Sequence, residues 1–474
     1  MFTRIKPDNI RLLRKNMVGI DRKVPIGGHK QTRYIYFDNA ASTPALVPVV
    51  EEITDYLSWY SGVHRGTGYK SLISSKIYNQ CHEIIGQFVG ADPTRDTVIM
   101  VKNTTEAINK LSYRLQLRPS DVVITTDMEH HSNDLPWKAK AAVKYAGLNQ
   151  YGELNTADVR DCLQKNYPRV KLLAVCGASN VTGHVNNVHL LAKMAHEYGC
   201  KILVDGAQLI PHRRFSMKSY SDPGHIDFLA FSGHKMYAPF GAGVLIGPKE
   251  IFANNPPEYQ GGGTVKLVMK DRIYWAEPPD SEEAGSANVI GTYALAKTMN
   301  FLEKIGMDNI VKHEDELTDY ALKKIQALRN VVVYGSKSRI GVISFNIKGI
   351  SHSLAGAVLC FEAGIGTRTG CFCAQNYVRK LLGQAESSQH IKLYEQNQLD
   401  KLPGMVRISL GGYNTFEEVD YFIKWLEKLV QNKSEFAERY QYDPEQGSFV
   451  PKDIPEACEF IDSQISALMD GVRY

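Results

Sequence analysis

No stretch of this sequence stays apolar for the roughly 20 residues that a helix needs to cross a bilayer, so a membrane-spanning protein is not expected. Charge of one sign is also scarce. The 55 Lys and Arg stand against 51 Asp and Glu, a net +4 over 474 residues, which gives no basis for a nucleic-acid partner. Eight Lys and Arg fall within the first 30 residues, but Asp8 and Asp21 interrupt them and no apolar core follows. That pattern fails as a secretory signal and fits a transit peptide poorly. Cysteine is thinly spread: Cys81, Cys162, Cys176, Cys200, Cys360, Cys371, Cys373 and Cys458 read as reduced thiols of a cytoplasmic protein rather than a disulfide framework. Only Cys371 and Cys373 form a close pair. No second pair completes a four-cysteine zinc site, and no metal is expected. Internal repeats and low-complexity tracts are missing too.

What is present is an ordinary globular composition, 43% hydrophobic and 22% charged. The length exceeds one typical core, so a large α/β unit with an appended domain is expected. Apolar, β-branched strands alternate with helical spacing from about residue 97 to 246, the pattern of a mostly parallel, doubly wound sheet whose sites gather at the carboxyl ends of the strands. A helix from about Gly291 to Ile305 leads to a second domain, in which strands are expected at Val331 to Tyr334, Gly341 to Asn346, Gly364 to Arg368 and Val406 to Leu410. Residues 374–405 are polar and read as a helix plus an exposed excursion. After 432, Pro455 opens an amphipathic helix with Ile461, Ile465, Leu468 and Met469 on one face, docked on the body or on a partner.

The polar clusters converge on the strand ends. Ser232-Gly233-His234-Lys235 follows the apolar run Ile226, Phe228, Leu229 and Phe231, which delivers a lysine to the end of a buried strand. A lysine desolvated there can lose its proton and attack a carbonyl; read alone, SGHK is better taken as a surface lysine after a strand. Asp205 ends the strand Lys201 to Val204, and burying its carboxylate is costly without a cationic partner; on local pattern it is equally an N-cap aspartate. Thr104 and Thr105 open a helix whose free amide groups suit a phosphate, though an ordinary cap uses the same residues. His130 and His131 follow the strand Val122 to Thr125, on opposite faces of an extended chain and so unsuited to sharing a metal. Gly62-Val63-His64-Arg65-Gly66-Thr67-Gly68 is a glycine-punctuated loop. A strand-end lysine, a strand-end aspartate, a helix N-terminus with threonines and a histidine able to stack on a ring together outline a pyridoxal-phosphate site.

The runs FDNAASTP, VHRGTG, NTTEAIN, MEHHSNDLPW, SNVTG, LVDGAQ, FSGHKMYAPFGAGVL, GGGT, EAGSAN, RTGCFCAQ and RISLGGYNT occur in order. With them, residues 30 to 432 resemble the class V aminotransferase-fold enzymes, in the type II cysteine desulfurase and selenocysteine lyase branch. The resemblance implies fold type I of the pyridoxal-phosphate transferases, a large domain with a mostly parallel seven-stranded sheet and a smaller α+β C-terminal domain. The corresponding division is an N-terminal arm over 1–31, packing with the small domain, a large domain over 32–300, a small domain over 301–432 and a C-terminal extension over 433–474. It implies pyridoxal 5'-phosphate as cofactor. Lys235 would hold the cofactor aldehyde as a Schiff base, Asp205 would pair with the pyridinium, and Gln208 would bond the ring oxygen. His130 would stack on the ring and help proton transfer. Thr104, Thr105, Ser232 and His234 would hold the phosphate, with Ser286 reaching in from the second subunit of a homodimer. Arg407 would clamp the substrate carboxylate, Asn180 would lie beside it, and His64 and Arg65 would line the substrate entrance.

Cys373 matches the nucleophile that takes sulfur from cysteine, leaving a persulfide for an acceptor protein and releasing alanine; that role requires a thiolate. Two features depart from the family. Cys371 and Phe372 stand where two histidines are common, and the interval from Cys373 to Arg407 is longer. On an extended segment Cys371 would face the same way as Cys373 and could relay a persulfide. Two other readings stay open: a C–S or C–Se lyase that does not need Cys373, and a cofactor-binding scaffold for a partner. The joint presence of Lys235, Asp205 and Arg407 weighs against the scaffold.

Overall fold

Between Asp96 and Pro248 the apolar runs fold as seven strands of one sheet in the computed structural model, which describes residues 7–64, 66–445 and 447–470. They are β1 (Asp96–Val101), β2 (Val122–Thr126), β3 (Ala142–Ala146), β4 (Val170–Cys176), β5 (Lys201–Asp205), β6 (Phe228–Ser232) and β7 (Gly243–Pro248). Their order across the sheet is β1-β7-β6-β5-β4-β2-β3, parallel throughout except for β7. Every residue of β2, β6 and β7 is buried, as expected of strands covered on both faces. Leu172, Leu203, Phe228, Leu245 and Trp137 pack together with Ile108 and Leu111 of helix α1 (Thr104–Arg114). Because β7 runs backwards, Gly243 at its start sits beside Ser232 and Val101 at the ends of its neighbours. A methyl group on Gly243 would lie 2.5 Å from the Asn103 Cα, so only glycine lets the start of α1 come this close.

The chain divides into two units. The first holds this sheet, with residues 42–180, 184–312 and the N-terminal residues up to Val18; helix Val289–Ile305 belongs to it and packs along helix Tyr69–Phe88. The second holds 19–41, 181–183 and the chain from His313 onward. The arm proposed for residues 1–31 is thus shared between the two units at Val18.

In the second unit, β8 (Val331–Val333), β9 (Val342–Ile347), β10 (Arg368–Gly370) and β11 (Met405–Ser409) form an antiparallel sheet in the order β8-β9-β11-β10. Phe345, Ile408, Leu359 and Phe422 build its core against helices His352–Ala363 and Phe416–Gln431. Thr415 and Glu418 cap the latter helix reciprocally. The single strand expected over Gly364 to Arg368 divides: Ile365–Gly366 pairs with Ile35–Tyr36, and Arg368–Gly370 joins the sheet. The polar segment after Cys373 holds two short helices, α2 (Gln375–Leu381) and α3 (Ser388–Glu395). A hairpin of Tyr440–Asp443 and Ser448–Pro451, unmarked in the sequence pattern, precedes helix Pro455–Met469. That helix forms as expected and meets the strand Lys23–Ile26 through its start, where Ile454 and Ala457 are buried, while Ile461, Ile465, Leu468 and Met469 are 48–82% exposed.

Candidate active site

Lys235 ends a single 3-10 turn, Gly233–Lys235, directly after β6. The turn is held from both sides. Gly233 N–H donates to the Ala242 carbonyl at 2.8 Å, and the His234 carbonyl accepts from Thr43 N–H at 2.8 Å and from the Ser42 and Thr43 hydroxyls at 3.1 Å each. Thr43 Oγ1 in turn accepts from Tyr237 N–H at 2.6 Å, which supports Tyr237 in a left-handed conformation. Ser42 and Thr43 were legible only as a turn and helix start; the structure makes them the clamp of the lysine turn. Burial, with the Lys235 charge adding to it, pushes the His234 imidazole down to about 4, so it is neutral at pH 7.

Ser232, the last residue of β6, meets the start of α1. Its Oγ accepts from Thr104 N–H at 2.8 Å and lies 2.6 Å from Thr104 Oγ1. Asn103 caps the helix by accepting from Glu106 N–H at 3.0 Å. Thr105 is exposed, its Oγ1 2.7 Å from the Ser132 hydroxyl, so a third hydroxyl that the sequence reading passed over joins the two threonines. Hydroxyls around the amino end of an 11-residue helix are a donor set for a phosphate.

Asp205, at the end of the neighbouring β5, is buried, and its Oδ1 accepts from Ala207 N–H at 3.0 Å. Burial raises its carboxyl above the ordinary carboxylate range, against the pull of the Lys235 charge. A ligand with a protonated ring nitrogen supplies the cation that such a carboxylate needs. Gln208 is buried close by in sequence. His130 is half-buried, and its Nδ1 accepts from Ser132 N–H at 3.1 Å, so in the neutral ring the proton sits on Nε2. Its chain neighbour Glu129, which no motif singles out, is buried. Glu129 Oε1 accepts from Thr126 Oγ1 at 2.6 Å and Cys176 N–H at 3.0 Å, and Oε2 accepts from Asn133 Nδ2 at 2.7 Å. Burial pushes this carboxyl up to about 7 despite those bonds. Asn180 is buried at the far end of the loop after β4. The residues of the first unit therefore fit a cofactor with a phosphate at one end, a protonated ring nitrogen at the other and an aldehyde for Lys235.

His64 and Ser286 gather elsewhere in the same unit. The His64 ring meets Tyr78 edge-on at 5.7 Å, with a left-handed backbone, and Tyr78 also lines the pocket of about 270 Å³ in which Ser286 lies, beside Lys102 and Glu106. Tyr78 donates to Glu283 Oε2 at 2.5 Å. Arg65 lies outside the described residues.

In the second unit Arg407, on β11, is only 2% exposed. Its Nη2 donates to Asp38 Oδ1 at 2.9 Å, while Arg368 Nη2 meets Asp38 Oδ2 at 2.7 Å. Burial lowers the Arg407 pKa, and Asp38 works against that. The Phe372 ring lies under the Arg407 guanidinium at 4.8 Å. Cys373 is exposed. Phe372 and Cys373 have φ of 53° and 55°, so this segment is not extended and the same-face expectation for Cys371 and Cys373 does not hold. The chain instead turns, closed by Ala374 N–H donating to the Cys371 carbonyl at 2.9 Å. Two non-glycine residues in the left-handed region cost about 1–2 kcal/mol each, which the surrounding packing has to offset. The Cys371 thiol is half-buried and raised by that burial.

The profile of the family described as Aminotransferase class-V matches residues 35–422. The chain belongs to that family. Within it, the relatives are of the cysteine desulfurase type. A probable cysteine desulfurase of Halalkalibacterium halodurans is 35% identical over 84% of this chain and 93% of its own length. A cysteine desulfurase of Haloferax volcanii is 34% identical over 81% of this chain and 92% of its own. Among solved structures, the apo cysteine desulfurase of Thermococcus onnurineus NA1 superposes with a TM-score of 0.77 at 31% identity, covering 91% of this chain and 99% of that one. An Escherichia coli cysteine desulfurase, solved as an S-sulfonic acid, gives 0.71 at 28% identity, covering 84% and 95%. No helix among the described residues is long and apolar enough to cross a membrane.

Proposed function

We propose that this chain is a pyridoxal-phosphate-dependent cysteine desulfurase that converts L-cysteine to L-alanine and leaves the sulfur as a persulfide on Cys373. The observation that carries this reading is the clamped Lys235 turn next to a buried aspartate in need of a cation. When bound, the cofactor supplies an electron-withdrawing ring that makes the α proton of the amino acid acidic. Lys235 would hold its aldehyde, Asp205 its ring nitrogen and Gln208 its ring oxygen. Thr104, Thr105, Ser232 and His234 would hold its phosphate, with Ser286 contributed by the second subunit of a homodimer.

Arg407 would bind the substrate carboxylate, fixed in direction by Asp38 and by the Phe372 ring. Asn180 would support that carboxylate, and His64 and Arg65 would border the way in. The Lys235 amine then moves the α proton, and His130 would assist that proton transfer. The Cys373 thiolate forms a bond to the substrate sulfur. The carbon–sulfur bond breaks, its electron pair stays on carbon, and protonation there gives alanine. The persulfide passes to an acceptor in the cytoplasm.

The test is to incubate the purified holoenzyme with L-cysteine and measure alanine against pyruvate, for the parent and for Cys373→Ala. Alanine lost in the variant supports desulfuration. Pyruvate and ammonia unaffected by the substitution would replace this reading with a C–S lyase. Bound cofactor without turnover of any amino acid would leave only a scaffold.

A further inference from the structure

The loop that departs from the family opens onto a pocket of its own. Helices α2 and α3 and the Leu402-Pro403 segment wall a pocket of about 580 Å³, within the range of ligand sites, roughly 300–1,000 Å³. Cys371 is part of its lining, and Cys373 is not. The two thiols share one tight turn, fixed by the left-handed pair Phe372 and Cys373 and by the bond from Ala374 N–H to the Cys371 carbonyl. They stand two residues apart on that turn. The turn thus puts one sulfur at an exposed position and the other at a pocket.

We infer that Cys371 is a second sulfur carrier, which takes the persulfide sulfur from Cys373 and presents it in the α2–α3 pocket to a cysteine on a segment of an acceptor protein. This rests on the reading of Cys373 as the first carrier. In the transfer, Cys371 Sγ loses its proton and forms a bond to the terminal sulfur of the Cys373 persulfide. The sulfur–sulfur bond to Cys373 breaks, its electron pair leaves on Cys373 Sγ, and that sulfur takes up a proton. One thiol and one persulfide stand on each side, so no oxidant or reductant is consumed.

The pocket walls point to a protein segment as the occupant. The one arginine there, Arg379, already pairs with Glu386 at 2.7 Å, which leaves it poorly placed to meet the carboxylates of a small anionic thiol. Tyr394 and Ile391 line the pocket while 67% and 60% exposed, the kind of aromatic and aliphatic surface that anchors a peptide.

Mapping the sulfur needs no variant. Holoenzyme given one equivalent of L-cysteine is alkylated, and fragmentation of the peptide Thr369 to Arg379 locates the extra sulfur. The expected result is sulfur on Cys371 in the parent and on Cys373 in Cys371→Ser. Turnover of that variant, with a blocked peptide carrying one cysteine between two leucines as acceptor, should give one rapid equivalent of alanine and then run about tenfold slower than the parent. The parent should use this peptide about tenfold better than glutathione, and Tyr394→Ala should remove the preference. Sulfur found only on Cys373 of the parent, with Cys371→Ser turning over at the parent rate, overturns the carrier role. Preference for glutathione overturns the protein segment as occupant. Absence of alanine from parent and variant alike overturns the inference together with the desulfurase reading, whereas alanine without sulfur on Cys371 overturns the inference alone.

Discussion

Replacing Asp38 by asparagine tests the arginine cluster of the second unit. The carboxylate is 7% exposed and takes one guanidinium on each oxygen, Arg407 at 2.9 Å and Arg368 at 2.7 Å. Asparagine keeps the shape but removes the charge, and its amide N–H₂ then faces one of the two cations. Arg368 is half-exposed and can turn to water; Arg407, 3% exposed along its side chain, cannot. Breaking a buried pair by removing one partner costs about 3–5 kcal/mol, since the remaining charge stays buried. For a unit of this size that lowers the melting temperature by about 6–20 °C. Differential scanning calorimetry reads the shift, and the KM for L-cysteine, expected to rise with kcat less affected, reads the loosened arginine. A double-mutant cycle with Arg407→Met separates pairing from packing: once the cation is gone, Asp38→Asn should cost little more. A melting temperature for Asp38→Asn within about 2 °C of the parent, or costs that simply add in the cycle, would refute the view that Asp38 holds Arg407 in place.

Lys235→Ala should abolish the adduct that borohydride reduces onto the protein; an adduct retained in the variant would remove the lysine from its assigned role. For Glu129 the folded chain keeps a proton that the unfolded chain releases above about 4.5, so this contribution is complete below about 4.5 and lost as pH rises through about 7, a change of about 3 kcal/mol. Glu129→Gln should flatten the pH dependence of stability across that window in urea titrations, whatever its absolute cost from turning an amide toward Asn133; an unchanged slope would assign the dependence to another group.

Much of the first unit was legible because its chemistry is local in sequence. In a parallel sheet, a polar residue directly after an apolar run falls at the carboxyl end of the sheet, so Ser232, Lys235, Asp205 and Thr104 could be grouped from strand pattern alone. What stayed hidden depends on partners far along the chain. Asp38 and Arg407 are 369 residues apart, and FDNAASTP reads locally as a turn. The role of Glu129 comes from burial among Thr126, Asn133 and Cys176, which no single-residue pattern reports. The Phe372 and Cys373 turn was missed for another reason. Left-handed backbone is rare for aromatic side chains, and neither glycine nor asparagine marks it here. The C-terminal helix forms where its period of apolar residues places it, but a period predicts a face and not what covers it.

The charges around Asp38 also bear on what the site can accept. Two guanidinium groups share one carboxylate, which leaves the cluster one negative charge short of neutral. Arg407 cannot relieve that by shedding a proton near neutral pH, even with burial lowering its pKa, because a guanidinium stays protonated in proteins. A single carboxylate from an amino-acid substrate completes the charge, and a neutral amine lacking it does not. Phe372 covers one face of the Arg407 guanidinium and adds no charge of its own, so the cation is left for an anion to balance. Phe372 is also the middle residue of the turn between Cys371 and Cys373, so one side chain both contacts the Arg407 guanidinium and sits within the cysteine turn. Phe372→Ala would therefore disturb carboxylate binding and sulfur transfer together, which neither arginine nor cysteine substitution alone would do.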